Sequence, residues 1–269
     1  MTIKEINISK EYGLDGDATL TAFIKTHHEE VKKYNTNLDA MIIVPGGGYR
    51  FASEREADPI ALEFLNRRYN AFVLRYSVVP YRYPLSLSQL ACSVDYIKKN
   101  AQEFGINPER IFVCGFSAGG HLTGCLANFW TNLPKDYIGD KEIDAKVNGV
   151  VLSYPVIYNK AHEGSYKNLL GIENVDCEQA EALSLHKSVN NQNPPCFIWA
   201  TAEDTVVNPM GTIYYTTEYL KLGLKIESHL FPTGRHGGST CDERTCEDFG
   251  GLAPAQCWID LADRFLQSL

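Results

Sequence analysis

No apolar run in the 269 residues approaches the roughly 20 residues that a membrane-crossing helix needs. The first residues, MTIKEINISKEYG, hold no basic stretch leading into an apolar one, so no secretory signal is expected and the cytoplasm is the default location. A basic stripe is missing as well. Lys and Arg number 25 against 33 Asp and Glu, a formal charge of −8, which argues against a nucleic-acid surface because nothing is placed to displace counterions from phosphate. Small neutral or cationic partners are easier to accommodate. The eight cysteines, at 92, 114, 125, 177, 196, 241, 246 and 257, are scattered. Several lie inside apolar segments, where a thiol behaves as a small hydrophobe, and all are expected to be reduced. The one cluster with a metal-site look, His236-x4-Cys241-x4-Cys246, fits no zinc spacing. No metal and no organic cofactor is expected.

What the chain does contain is a regular alternation of buried strands and amphipathic helices, in a length that suits one large α/β domain over 1–269. Residues 3–9 and 19–25 mix apolar and polar side chains around the turn-forming Gly13 to Asp17, which predicts an antiparallel pair at a sheet edge. The continuous apolar runs 40–44, 71–74, 111–114 and 147–153 read as strands buried on both faces. Between them, Ala57, Ile60, Ala61, Phe64 and Leu65 predict a helix over 55–68, and Leu87 to Phe104 a second, longer one. A strand over 196–201, a helix over 211–222, a strand over 225–231 and a last amphipathic helix carrying Trp258, Leu261, Ala262, Phe265 and Leu266 follow. From 155 to 192 the periodicity fades. This stretch is expected to be an insertion capping the site, with a plain surface excursion as the equal alternative.

The stretch IFVCGFSAGGH, 111–121, reads as strand, sharp turn and helix. Glycines on both sides of Ser117, in G-x-S-x-G, permit a turn too tight for residues with a Cβ and push the serine oxygen out above the sheet edge. A serine hydroxyl is a poor nucleophile at neutral pH, so this reading demands a histidine base, a carboxylate to orient it and donors for an oxyanion. Asp204 lies just beyond the 196–201 strand, on the same sheet edge as Ser117, with Glu203 as its rival. Strand-like alternation sends those two side chains in different directions. His236 sits between glycines, in Gly234-Arg235-His236-Gly237-Gly238, free to reach inward. The other histidines fit less well: His27 and His28 lie in a polar stretch, His229 inside a strand, and His121 one helical turn after Ser117 in a structural setting. His162 and His186 could line a pocket but lack the glycine-framed strand end. Pro45-Gly46-Gly47-Gly48-Tyr49, directly after a buried strand, leaves amides able to point inward.

These residues resemble the nucleophile elbow and glycine loop of the α/β-hydrolase superfamily, in which the triad runs Ser, then Asp or Glu, then His along the chain. The resemblance implies an α/β-hydrolase fold, a mostly parallel central sheet with helices on both faces and a small cap. It also implies catalytic roles for Ser117, Asp204 and His236, and an oxyanion hole from the amides of Gly47, Gly48 and Ala118. Pro45 departs from the histidine of the lipase-type HGGG loop, but backbone amides do that work. PGGGYRFASEREADPIA and GFSAGGHL together are similar to small bacterial esterases described as acetyl-xylan or sugar esterases, related to the hormone-sensitive-lipase-like group. That likeness implies a short-chain acyl ester or an acetylated sugar as substrate. An amide hydrolase or serine aminopeptidase with the same triad, and a non-catalytic binding protein on the same scaffold, remain alternatives. Monomer or homo-oligomer stays open.

Overall fold

In the computed structural model, which describes residues 1–26, 28–33 and 37–269, eight strands form one sheet. They are β1 (Thr2–Asn7), β2 (Thr19–Ile24), β3 (Leu38–Val44), β4 (Tyr69–Arg75), β5 (Ile106–Phe116), β6 (Gly149–Ser153), β7 (Cys196–Thr201) and β8 (Ile226–Phe231). Their spatial order is β1-β2-β4-β3-β5-β6-β7-β8. The pairs β1–β2 and β2–β4 are antiparallel and all others parallel, so the expected antiparallel edge is present. The elbow strand β5 lies near the middle. Strand β3 is buried along its whole length because helices cover both faces, and its side chains alternate between two cores. Ala40, Ile42 and Val44 face one, Met41 and Ile43 the other.

The second core is closed by α1 (Asp58–Leu65) and, from the far end of the chain, α6 (Trp258–Gln267). Between them in sequence, α2 (Leu85–Lys99), α3 (Ala118–Phe129) and α5 (Met210–Lys221) close the first. The segment 155–192 contributes α4 (Glu163–Leu170) and the short helix Glu178–Ala182. It borders the glycine loop, where Asn168 Nδ2 donates to the Gly48 carbonyl at 2.9 Å.

At three of the boundaries that differ from expectation the reason is local. Ile8 leaves the first strand because Asn7 caps a short helix, Ile8–Tyr12, and Gly13 ends it in a left-handed conformation. The helix expected over 55–68 begins only at Asp58, since Pro59 suits a first turn but not a helix interior. Upstream, Glu54–Glu56 forms a separate 3-10 turn, broken from α1 at Ala57. The long helix expected to reach Phe104 ends at Lys99, and a further turn, Ala101–Phe104, leads through the left-handed Gly105 into β5. His27 lies outside the described residues.

Candidate active site

All the parallel strands from β3 to β8 run the same way, so the loops after β3, β5, β6, β7 and β8 meet along one edge. The turn after β5 holds Ser117 at φ +52°, a left-handed conformation that a non-glycine residue adopts only when its surroundings impose it. They do. Its amide donates to the Ser153 carbonyl at 3.0 Å, and its carbonyl accepts the amides of His121 and Val156 at 3.0 and 3.1 Å. Glycines make the close approach feasible: a Cβ on Gly115 would lie 2.3 Å from the Gly119 carbonyl oxygen, and one on Gly119 only 2.1 Å from that of Val44.

Asp204 is buried in the turn after β7. Its Oδ1 accepts the amides of Val206 and Val207, both at 2.9 Å, and its Oδ2 lies 2.6 Å from His236 Nδ1. A carboxylate offers acceptors only, so Nδ1 carries the proton and Nε2 accepts from the Ser117 hydroxyl, 2.9 Å away. Ser117, His236 and Asp204 therefore form one continuous hydrogen-bonded chain. Glu203 points outward; it is exposed and, among the described residues, accepts the Gly234 amide alone, at 3.3 Å. The histidine loop is tied to β7 through the Thr201 hydroxyl, which donates to the Gly234 carbonyl at 2.7 Å.

Beside Ser117, the three glycines divide their amides. Gly46 gives its N–H to Glu56 Oε2 at 2.9 Å. The amides of Gly47, Gly48 and Ala118 donate to no acceptor among the described residues. Gly47 and Gly48 both take positive φ, +118° and +63°. Gly46 is required by space rather than by φ, because a Cβ there would stand 2.8 Å from Glu56 Oε2 and 3.0 Å from Ser117 Cβ.

The remaining described histidines are held elsewhere. His121 is buried, accepting from Tyr49 Oη at 2.8 Å and donating to the Leu183 carbonyl at 3.0 Å. Burial lowers its pKa to about 4. His229 pairs with Glu227 on the edge strand β8. His28 is exposed, and His186 packs against Tyr158 and Tyr214. His162 caps α4, its Nδ1 accepting from the Ser165 amide and hydroxyl at 3.2 and 2.8 Å. Burial first, and then the nearness of His236, hold it below the ordinary histidine range. Cys241 and Cys246 are free, buried thiols under the histidine loop, with Cys246 Sγ 3.6 Å from the Gly238 carbonyl.

Two side chains at this edge escaped sequence reasoning, Glu56 and Tyr154. Glu56 falls inside the stretch read as one helix, and Pro59 was the signal that the helix starts later. Tyr154 directly follows the apolar run 147–153 and carries no local signal of its own.

The sequence pattern of the BD-FAE family matches residues 29–217. The chain is 32% identical over 253 residues to endo-1,4-beta-xylanase B of Butyrivibrio fibrisolvens, an alignment covering 92% of this chain and 38% of that protein. It is 27% identical over 235 residues to the acetylxylan esterase of Xylanibacter ruminicola, covering 83% and 44%. The chain thus spans about two fifths of the length of these relatives. Among solved structures, the acetyl ester-xyloside bifunctional hydrolase of Caldicellulosiruptor lactoaceticus superposes with a TM-score of 0.80 at 29% identity, covering 97% of this chain and 96% of that one. The sheet order, the loops meeting at its edge and the match over most of the length agree, and the chain belongs to the BD-FAE family, on an α/β-hydrolase fold.

Proposed function

We propose that this chain is a serine hydrolase of short-chain acyl esters, acting on acetylated sugars or xylo-oligosaccharides. The observation that carries the reading is the unbroken Ser117–His236–Asp204 chain, at 2.9 and 2.6 Å, beside three amides that have no acceptor among the described residues. In this reading His236 Nε2 takes the Ser117 proton as Oγ attacks the acyl carbonyl, and Asp204 stabilises the imidazolium. The amides of Gly47, Gly48 and Ala118 receive the developing oxyanion. The protonated His236 then gives its proton to the departing alcohol, which leaves an acyl-Ser117 ester. His236 next deprotonates a water, whose attack releases the acid and restores the serine. Segment 155–192, which reaches the glycine loop through Asn168, serves as a cap over the site.

The acetyl-sugar assignment leans on the acetylxylan esterase and the acetyl ester-xyloside hydrolase among the similar proteins. The test is hydrolysis of 4-nitrophenyl acetate, butyrate and octanoate beside acetylated xylo-oligosaccharides. The expected result is preference for acetyl esters and loss of turnover by roughly four orders of magnitude or more in Ser117→Ala and His236→Ala. Cleavage of nitrophenyl esters without sugar acetates would remove the substrate and keep the mechanism. Serine-dependent cleavage of amides alone would replace the ester reading.

A further inference from the structure

Glu56 is 3% exposed and has no ion-pair partner among the described residues. A buried carboxylate without a counter-charge is costly unless donors satisfy both oxygens. Here two donors arrive from different loops. Oε2 accepts the Gly46 amide at 2.9 Å, and Oε1 accepts the Tyr154 hydroxyl at 2.7 Å. That hydroxyl in turn accepts the Ser239 amide at 2.9 Å, in the loop that carries His236. The Tyr154 ring also lies edge-on to the His236 imidazole, centroids 5.0 Å apart. Its backbone is held at φ +39°, a conformation tyrosine adopts only under constraint. The neighbouring Arg55 reinforces the same bridge, with its carbonyl accepting from Ser239 Oγ at 2.5 Å and its guanidinium donating to the Gly237 carbonyl at 3.3 Å.

We propose that Glu56 is a positioning residue whose carboxylate joins the glycine loop to the histidine loop through Tyr154, so that the oxyanion donors and the general base are set as one unit around Ser117. The inference rests on the hydrolase reading above. A carboxylate suits the task where an amide does not. Gly46 and Tyr154 both donate, and a glutamine has one acceptor oxygen, so its NH2 would face one donor or force the tyrosine hydroxyl to turn. Aspartate is one methylene shorter and cannot span both partners without drawing the loops inward.

The test compares wild type, Glu56→Gln, Tyr154→Phe and the double variant in two measurements, both run well below each unfolding midpoint. In hydrogen–deuterium exchange, peptides covering 45–51 and 234–241 are expected to exchange several-fold faster together in each single variant. With 4-nitrophenyl acetate, kcat is expected to fall about 10- to 100-fold with KM within about threefold, a size in keeping with misplaced oxyanion donors. The double variant is expected to be no slower than the slower single one, because both changes cut the same bridge. Affinity for an acetyl-derived trifluoromethyl ketone, whose adduct places an oxyanion among the amides, is expected to fall with kcat. Exchange that changes in one loop or neither, kcat within twofold of wild type, or kcat loss with ketone affinity unmoved would overturn the proposal. A wild type without Ser117-dependent hydrolysis would overturn the esterase reading instead, and the exchange data would still decide whether Glu56 couples the two loops.

Discussion

At the scale of single residues, the choice between neighbours is made by burial and by partners. Asp204 and Glu203 are adjacent, yet only Asp204 turns inward, where two amides fix one oxygen and leave the other for His236. His121 shows the opposite use of a histidine. Its two ring nitrogens are spent on Tyr49 and the Leu183 carbonyl, and burial lowers its pKa to about 4 from an ordinary 6.5. The sign of the consequence follows from proton counting. Between pH 6.5 and 4 the unfolded chain binds a proton at this site and the folded chain does not, so this site's contribution to stability falls as the pH drops through that window. The full effect is on the order of 3 kcal/mol. Urea unfolding of wild type and His121→Asn between pH 4 and 7.5 measures it. Wild type is expected to lose stability more steeply on acidification, whereas equal slopes would mean that His121 titrates alike in both states.

At the scale of elements, what the sequence makes legible is whatever a short stretch determines by itself. The apolar runs of β3 to β7 and the glycine-framed Ser117 and His236 are local signals, and their placement on one sheet edge follows from strand ends alone. The bridge through Glu56 and Tyr154 is not local: it joins residues 46, 56, 154 and 239, and only the assembled sheet brings them together. Helix α3 makes the same point through a glycine the sequence does reveal. A Cβ on Gly119 would meet the Val44 and Pro45 carbonyl oxygens at 2.1 and 2.4 Å, backbone atoms that cannot step aside. Alanine gains about 1 kcal/mol of helix propensity there, but overpacking costs roughly 1–3 kcal/mol or more. Gly105 is the control, because it has φ +62° with open space around it, and alanine there meets only backbone strain of about 1 kcal/mol. Gly119→Ala is expected to lower the urea midpoint more than Gly105→Ala. The reverse order would contradict a helix seated directly on the ends of β3.

At the scale of the whole molecule, the last helix closes a core built largely from the first two thirds of the chain, and it reaches the candidate site as well. Trp258 is fully buried, stacks on Trp199 with ring centroids 5.3 Å apart, and donates from Nε1 to the Ser239 carbonyl at 2.9 Å. Ser239 is also where the Tyr154 hydroxyl and the Arg55 carbonyl converge, so α6 supports the histidine loop from beneath. Packing and positioning can be separated by two substitutions. Trp258→Ala is expected to cost roughly 3–5 kcal/mol of stability through lost burial and the cavity left behind. Trp258→Phe keeps much of the ring packing but loses the indole donor, leaving the buried Ser239 carbonyl, among the described residues, with only the weak Cys241 thiol donor at 3.8 Å. It is expected to recover most of the unfolding temperature while kcat stays reduced, measured at 25 °C where both variants are folded. If Trp258→Phe instead restores stability and kcat in step, the indole contributes only its volume, and the histidine loop is held by Tyr154 and Arg55 without help from the end of the chain.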